Sequence, residues 1–424
     1  MVIKSPKVAS VPSDLRRIHR ALVLERIFRS KDSSRVQLAE STGLSAMAIT
    51  RITRELIEAG LVEESQITVL HNLPNPGRPR KELRIRPMGG HVFGVVISAF
   101  GHEIALFDAV GQICAQQSIP FRLMRSASSA IQATKKVIQK LIRTSNVNPS
   151  RVMGIGVAIA AFVEPSTGRL HSAPYLGWRR VEFGSLLAEA TNLPVVVENI
   201  AHAMNVAEHA KGIAAGLNDV FLSHQSVTTG SSYLHEGRLV LGASYSAGQI
   251  GHLPLKKSSL FCSCGEQTCL NNYVSGWAVL AHLGLTTSKV FEVKDLQKYA
   301  NSLKALISDN PSLGSKPGRV LFKAGYEWGV AMRNVALVVD PSAIILSGKL
   351  RESSAYVAGA KRAWFESIRR YGQRYSKLLL GERSSVDASG YLALRSFIYS
   401  NHLDVESLNP SGRETSAPQG YAVA

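Results

Sequence analysis

Four side chains in one short stretch carry the most definite chemistry. His252 is followed by Cys262, Cys264 and Cys269, so three of the chain's four cysteines share a single window. One imidazole and three thiolates meet the demand of a tetrahedral zinc ion. Gly265 frees the backbone to turn between the second and third sulfurs. Disulfides are the alternative, but three clustered cysteines leave one unpaired. Cys262 and Cys264, one residue apart, would also strain a bridge. Four protein ligands leave no open coordination position, so the expected cofactor is a structural Zn2+ rather than a catalytic one.

A second constellation lies near the N-terminus. Residues 15–30 read as a helix with Leu15, Ile18, Leu22 and Ile27 on one face. Ser33 or Ser34 caps a second helix that stops at Gly43. Ser45 caps a third, with Ile49, Ile52, Leu56 and Ala59 on its core face. The opposite face offers Ser45, Ala46, Ala48, Thr50, Arg51 and Arg54, small, hydroxylated or cationic groups suited to a major groove. Helix, glycine turn, helix is the helix-turn-helix arrangement, with the third helix as reader. A strand, a loop and a returning strand follow, which makes a winged helix. The loop carries Arg78 and Arg80 beside Gly77 and Pro79, placed for a minor groove. A protein-contact module with a solvated basic loop is the alternative. The chain's net charge of +18 and pI near 9.9 favour a polyanion as partner once a groove reader is in hand.

These sites need elements to hold them. At 424 residues the chain calls for two or three domains, and 45% hydrophobic content gives ordinary cores. Residues 13–88 are expected to form the winged helix-turn-helix and 89–403 the body. The ends, 1–12 and 404–424, are polar and expected to be disordered. No run of eighteen apolar residues and no signal-peptide core occur, so a cytoplasmic protein without membrane contact is expected. In the body, three apolar strands joined at Gly101 and Gly111 lead to an amphipathic helix with Ile131, Ile138, Leu141 and Ile142 on one side. RVMGIGVAIAAFV reads as one more buried strand. From Asp219 a three-strand meander starts again, ending in RLVLGA. The repetition predicts two similar α/β lobes with a cleft between them.

GQIGH at 248–252, followed by CSCGEQTCLNNYVSG at 262–276, resembles the zinc segment of the ROK family of repressors and sugar kinases. That resemblance implies an actin-like ATPase, or ribonuclease-H-like, fold for the body. ROK repressors carry a winged helix in front of it and a GRP in the wing; the kinases lack that module. Residue by residue, the resemblance places Asn199, Gln249, His252 and Asn271 against an effector, with Trp178 and Glu198 nearby. It implies the zinc loop 252–269 as well.

The sequence departs from the kinase pattern in three places. Ile200 stands where the family's base is an aspartate, and it cannot accept a proton. His202, two residues on, is expected to pack or hydrogen-bond rather than replace it. Ser98-Ala99-Phe100 replaces the first phosphate loop. In the second, 228–232, only Gly230 survives, and the other side chains are expected to crowd a triphosphate. Gln249 and Asn271 also stand where the family has glutamates, which makes the cleft less anionic. The effector is then a neutral sugar held by amides, or an anionic or modified sugar, or absent. The expected function is a DNA-binding transcriptional regulator of carbohydrate-related genes. Its partners are duplex operator DNA, a small-molecule effector and further copies of itself, as homodimer or homotetramer. A sugar kinase with an appended DNA module is the alternative.

Overall fold

Helix caps and turns set the head. A computed structural model describes residues 12–30, 33–68, 81–121, 124, 126–371 and 376–408. The head holds α1 (Pro12–Arg29), α2 (Arg35–Thr42), α3 (Ala46–Glu58), β1 (Val62–Thr68) and β2 (Lys81–Ile85). Ser34, rather than Ser33, caps α2 in a reciprocal pair with Gln37. Gly43 ends α2 in the left-handed region at φ 69°. Ser45 then caps α3 by accepting the Ala48 N–H at 3.2 Å. Ile49, Ile52, Leu56 and Ala59 are all buried, as their spacing required. The strands β1 and β2 pair antiparallel, Val62 opposite Ile85. Arg78 and Arg80, between them, lie outside the described residues.

The face of α1 differs from expectation. Leu15 and Ile18 are exposed, and the buried stripe is Val23, Leu24, Ile27 and Phe28. Apolar residues recur along α1 in two overlapping registers, and long-range neighbours choose between them. Phe28 packs its ring 4.3 Å from Tyr399 and 6.2 Å from Tyr391, both from the far end of the chain.

The first lobe runs β3 (His91–Ser98), β4 (Gly101–Asp108), β5 (Ile113–Ile119), α4 (Ala127–Thr144), β6 (Val152–Ile159), β7 (Phe162–Glu164), β8 (Arg169–Ala173), β9 (Trp178–Val181), α5 (Phe183–Thr191), β10 (Val195–Asn199) and α6 (Ile200–Lys211). The second runs β11 (Val220–Gln225), β12 (Thr229–His235), β13 (Arg238–Leu239), α7 (Asn271–Val274), α8 (Gly276–His282), α9 (Leu296–Ser308), α10 (Lys316–Val339), β14 (Ala343–Ser347), α11 (Ser354–Tyr371) and β15 (Lys377–Leu380). The chain then returns through α12 (Ser385–Ala393). Sheet orders are β10-β6-β3-β4-β5 and β13-β12-β11-β14-β15. Each is an antiparallel meander extended by two parallel strands, so the expected repetition is present in the backbone.

Three details correct the sequence reading. RVMGIGVAIAAFV divides into β6 and β7, and β7 belongs to a separate sheet with β8 and β9. RLVLGA contributes a strand of two residues only. Order also continues past residue 403: Leu403 and Val405 are buried, and a short 3-10 turn spans Glu406–Leu408. Their apolar side chains fill the same core as Phe28, which holds this part of the tail.

Helices α6 and α12 lie in a core that takes Val92, Val96 and Phe107 from the first sheet and Val220, Leu222 and Ile345 from the second. The head's Val23, Leu24 and Phe28 join the same cluster. Close approach of α12 depends on two glycines. A Cβ at Gly94 would sit 2.5 Å from Ser389 Oγ, and one at Gly156 would sit 2.4 Å from the Ser389 carbonyl. No helix among the described residues is long and apolar enough to cross a membrane.

His102 on β4 is fully buried, with Thr134 Oγ1 3.1 Å from Nε2. Burial lowers its pKa from 6.5 to about 4. The unfolded chain therefore binds a proton that the folded chain refuses between those values, so this contribution is complete above pH 6.5 and is lost as pH falls towards 4. At pH 5 the loss is about 2 kcal/mol. Thermal melts from pH 7 to pH 5 should show a falling midpoint, and His102→Gln should flatten that slope.

Candidate metal centre, cleft and reading helix

The loop after β13 brings the four sequence-predicted donors together. The ligand atoms of His252, Cys262, Cys264 and Cys269 all lie within 4.8 Å of one another. Cys264 and Cys269 sulfurs are 3.4 Å apart, and His252 Nδ1 is 3.7 Å from both Cys262 and Cys269. All four cysteines of the chain are free thiols. This donor set can hold a metal ion.

Backbone hydrogen bonds build the loop. Leu255 N–H meets the Thr268 carbonyl at 2.7 Å, and Cys262 N–H meets Glu266 at 2.9 Å. Gly265 turns between sulfurs at φ 91°, a conformation that strains a residue with a Cβ. Asn272, fully buried, donates to the carbonyls of Leu260, Glu266 and Gln267 at 3.0–3.2 Å. That fan of bonds draws the two arms of the loop together.

Asn271 joins this loop to the cleft. Its Oδ1 accepts the Thr229 N–H at 3.0 Å, and its Nδ2 lies 3.8 Å from Cys262 Sγ. Both ends of the buried amide are therefore engaged. A carboxylate here could accept the N–H but could not donate to sulfur. On the first lobe, Asn199 caps α6 by accepting the Ala201 N–H at 2.8 Å and donates to the Ala161 carbonyl at 2.9 Å. Glu198 is buried, accepts the Asn199 N–H at 2.8 Å and meets His202 Nδ1 at 2.9 Å. His202 thus hydrogen-bonds within the first turn of α6, as helical direction implied. Gln249 and His252 are exposed on the second lobe.

Trp178 departs from this group. It is buried in the first-lobe core, its ring stacked on Phe183 at 5.9 Å and 18°. The ring fills the lobe rather than lining the cleft. In the second phosphate loop, Ser232 points away from the crowding expected of it. Thr229 Oγ1 donates to Gln225, Ser231 Oγ to the Gly248 carbonyl, and Ser232 Oγ accepts from Asn205. These three hydroxyls turn inward because the protein satisfies them there, while Thr228 meets the Tyr175 hydroxyl.

Two cleft residues escaped the sequence reading. Tyr175, in the turn before β9, reaches across to the second-lobe core and meets Phe291 edge-on at 5.8 Å. Its hydroxyl lies beside Thr228 and Ser263, and burial raises its pKa. His171 of β8 stacks against Tyr245 at 6.2 Å and 16°. The segment RLHSAPYLGW, rich in rings and bounded by proline and glycine, was the available signal.

Helix α3 turns outward the face that its pattern implied. Ser45, Ala46, Thr50, Arg51 and Arg54 are all exposed. Ala46, Met47, Thr50, Arg51 and Arg54 line a shallow concavity, and Met47 is 83% exposed. An apolar side chain so open on this face does not follow from the sequence pattern.

A ROK family model matches residues 92–393. The chain belongs to the ROK family. Among similar proteins, the xylose repressor of Bacillus spizizenii is 24% identical over 395 residues, covering 92% of this chain and 97% of the repressor. The DNA-binding transcriptional dual regulator NagC of Escherichia coli is 24% identical over 351 residues, covering 80% and 82%. In structure, a ROK family transcriptional regulator, a homolog of the E. coli MLC protein, aligns with TM-score 0.72 at 21% identity, covering 92% of this chain and 98% of that one. The ROK hexokinase from Thermus thermophilus aligns with TM-score 0.57 at 19% identity; 98% of it is matched, but only 72% of this chain. The body therefore has the family's two-lobed sugar-kinase fold.

Removing one donor tests the metal centre. Cys264→Ser should lower bound metal per chain, measured by elemental analysis, and lower the thermal midpoint by several degrees. Equal metal content in both proteins would remove Cys264 from the ligand set.

Proposed function

We propose that this protein is a DNA-binding transcriptional repressor of carbohydrate-related genes, without kinase activity. Its cleft takes a sugar or sugar-derived effector, and its His/Cys cluster holds a structural Zn2+. The observation that carries this reading is α3: a capped helix with its apolar stripe buried and Ser45, Ala46, Thr50, Arg51 and Arg54 turned outward. A net charge of +18 supports duplex DNA as its partner. The Bacillus spizizenii xylose repressor matches 92% of this chain, which supports the same reading. Arg78 and Arg80 complete it from the wing loop. The site of action is the cytoplasm, where free thiols persist.

The metal assignment rests on donor chemistry. Metal–sulfur bonds of about 2.3 Å in a tetrahedron put ligand atoms about 3.8 Å apart. The separations of 3.4 and 3.7 Å found here fit that figure. Three thiolates and an imidazole favour zinc over the hard cations. When bound, the ion would hold the loop and set the orientation of His252, beside Gln249, for an effector.

Phosphoryl transfer needs a group to orient the attacking hydroxyl and backbone N–H groups to cradle phosphate. Ile200, buried at the start of α6, supplies no proton acceptor. The Thr229 N–H, in the loop that would serve as cradle, is already given to Asn271 Oδ1. The effector site we assign comprises Asn199, Gln249 and His252, with Glu198 and Asn271 behind them as supports. Amides and an isoleucine in place of carboxylates admit a sugar bearing negative charge as well as a neutral one.

A homodimer or homotetramer would set two α3 helices about one duplex turn, or a multiple, apart. Genome-wide mapping of bound fragments should return sites beside carbohydrate genes. On such a fragment, Arg51→Ala should weaken binding about tenfold in gel shifts. Unchanged shifts for Arg51→Ala and Arg78→Ala together would remove the reader assignment. A coupled ADP-release assay over common hexoses should stay at background; sustained turnover would restore the kinase reading.

A further inference from the structure

Helix α6 runs from the cleft to the head. Its twelve residues span about 18 Å. At the cleft end, Asn199 fastens it to the first lobe through the Ala161 carbonyl. A Cβ built on Gly230, in the second-lobe loop, would lie 3.7 Å from the Ala201 side chain. Loops from both lobes therefore bear on the first turn. In the middle, Asn205 is fully buried and donates to the carbonyls of Val220 and Ser232 at 3.0 and 3.1 Å.

At the far end, Glu208 is fully buried and gathers three backbone donors. Its Oε1 accepts the N–H groups of Glu382 and Arg383 at 2.6 and 2.7 Å, and its Oε2 accepts that of Ile213 at 3.0 Å. This clamps α6 to the segment that leads into α12. The Arg383 guanidinium returns a bond to the Lys211 carbonyl. Lys211 Nζ then sits 3.2 Å from the centroid of the Phe28 ring in the head. A rod anchored in this way at both ends transmits displacement, because a packed interior shifts between discrete arrangements rather than deforming smoothly.

We propose that α6 is the relay between cleft and head, with Asn199 anchoring one end and Glu208 and Lys211 as the positioning residues that seat the other on α12 and Phe28. The mechanical link stands on the contacts above; its regulatory meaning rests on the proposed function.

Hydrogen–deuterium exchange on the full chain tests it without any effector. Asn199→Ala releases the cleft end. Ser126→Ala is the matched control, since Ser126 caps α4, outside the relay. Exchange in peptides covering 22–29 should rise about threefold or more in Asn199→Ala and stay at the wild-type rate in Ser126→Ala. Lys211→Met should raise the same peptides, and adding Asn199→Ala to it should then have little further effect there. If Asn199→Ala does not fold, Asn199→Asp keeps the acceptor for Ala201, loses the donor to Ala161 and is read in the same way. Equal protection of 22–29 in the Asn199 and Ser126 variants overturns the relay. Duplex binding with silent 22–29 peptides sinks the relay alone. A transmitted change in a protein that ignores the mapped duplex fragments sinks the DNA reading and leaves the relay.

Discussion

The two sheets share one core, and α6 and α12 lie in it; the rest of the protein hangs on that contact. Small residues make it possible. Gly94 and Gly156 strip side chains from the sheet surface under Ser389, so α12 lies against bare backbone. Along α6, Ala201, Ala203, Ala207 and Ala210 are buried and short enough for both sheets to approach. Burial on every side removes α6 from the amphipathic class, and its polar members need internal partners in consequence. Asn205 and Glu208 find theirs in backbone groups. A helix held this tightly cannot slide without moving what it touches.

The cleft shows how a catalytic layout becomes a binding one without emptying. Carboxylates are costly to bury unless each oxygen has donors. Glu198 is buried with Oε1 shared by His202 Nδ1 and the Asn199 N–H. Elsewhere an amide serves two masters, as Asn271 does by bridging the Thr229 N–H and the Cys262 sulfur. That single side chain ties the former phosphate loop to the metal loop. Three of the four hydroxyls of that loop have partners inside the lobe, and the fourth, Thr228, meets Tyr175.

Local chemistry was legible in the sequence, and contacts across the chain were not. Ligand type and spacing gave the metal cluster, because a short loop must bring His252 and the three cysteines together whatever surrounds it. The period of α3 gave the reading face for a similar reason: Ile49, Ile52 and Leu56 fix which side is buried. On α1 the same logic failed, since Tyr391 and Tyr399 decide the register from more than 360 positions away. Trp178 was ambiguous until Phe183 was seen beneath it. For Tyr175 and His171 the ring-rich segment showed only composition; the partner that each meets is a ring on the opposite lobe.

The head is fastened at points that belong to different parts of the body. Arg151, just before β6 in the first lobe, donates to the carbonyls of Ala59 and Gly89 at 2.6–3.2 Å and to Leu408 at 3.4 Å. Tyr399 hydrogen-bonds the Ala109 carbonyl while packing on Phe28. Lys211 reaches Phe28 from α6, which is also bonded to the second sheet through Asn205. A rigid body tied to two others keeps all its contacts in one relative arrangement of them only. Were the lobes to rotate, the carbonyls under Arg151 and the ring under Lys211 could not both be kept, and the head would have to follow one attachment and release the other. A ligand that binds one lobe arrangement better than the other thereby selects between two seats for α3, which is the differential free energy that any coupling between sites requires.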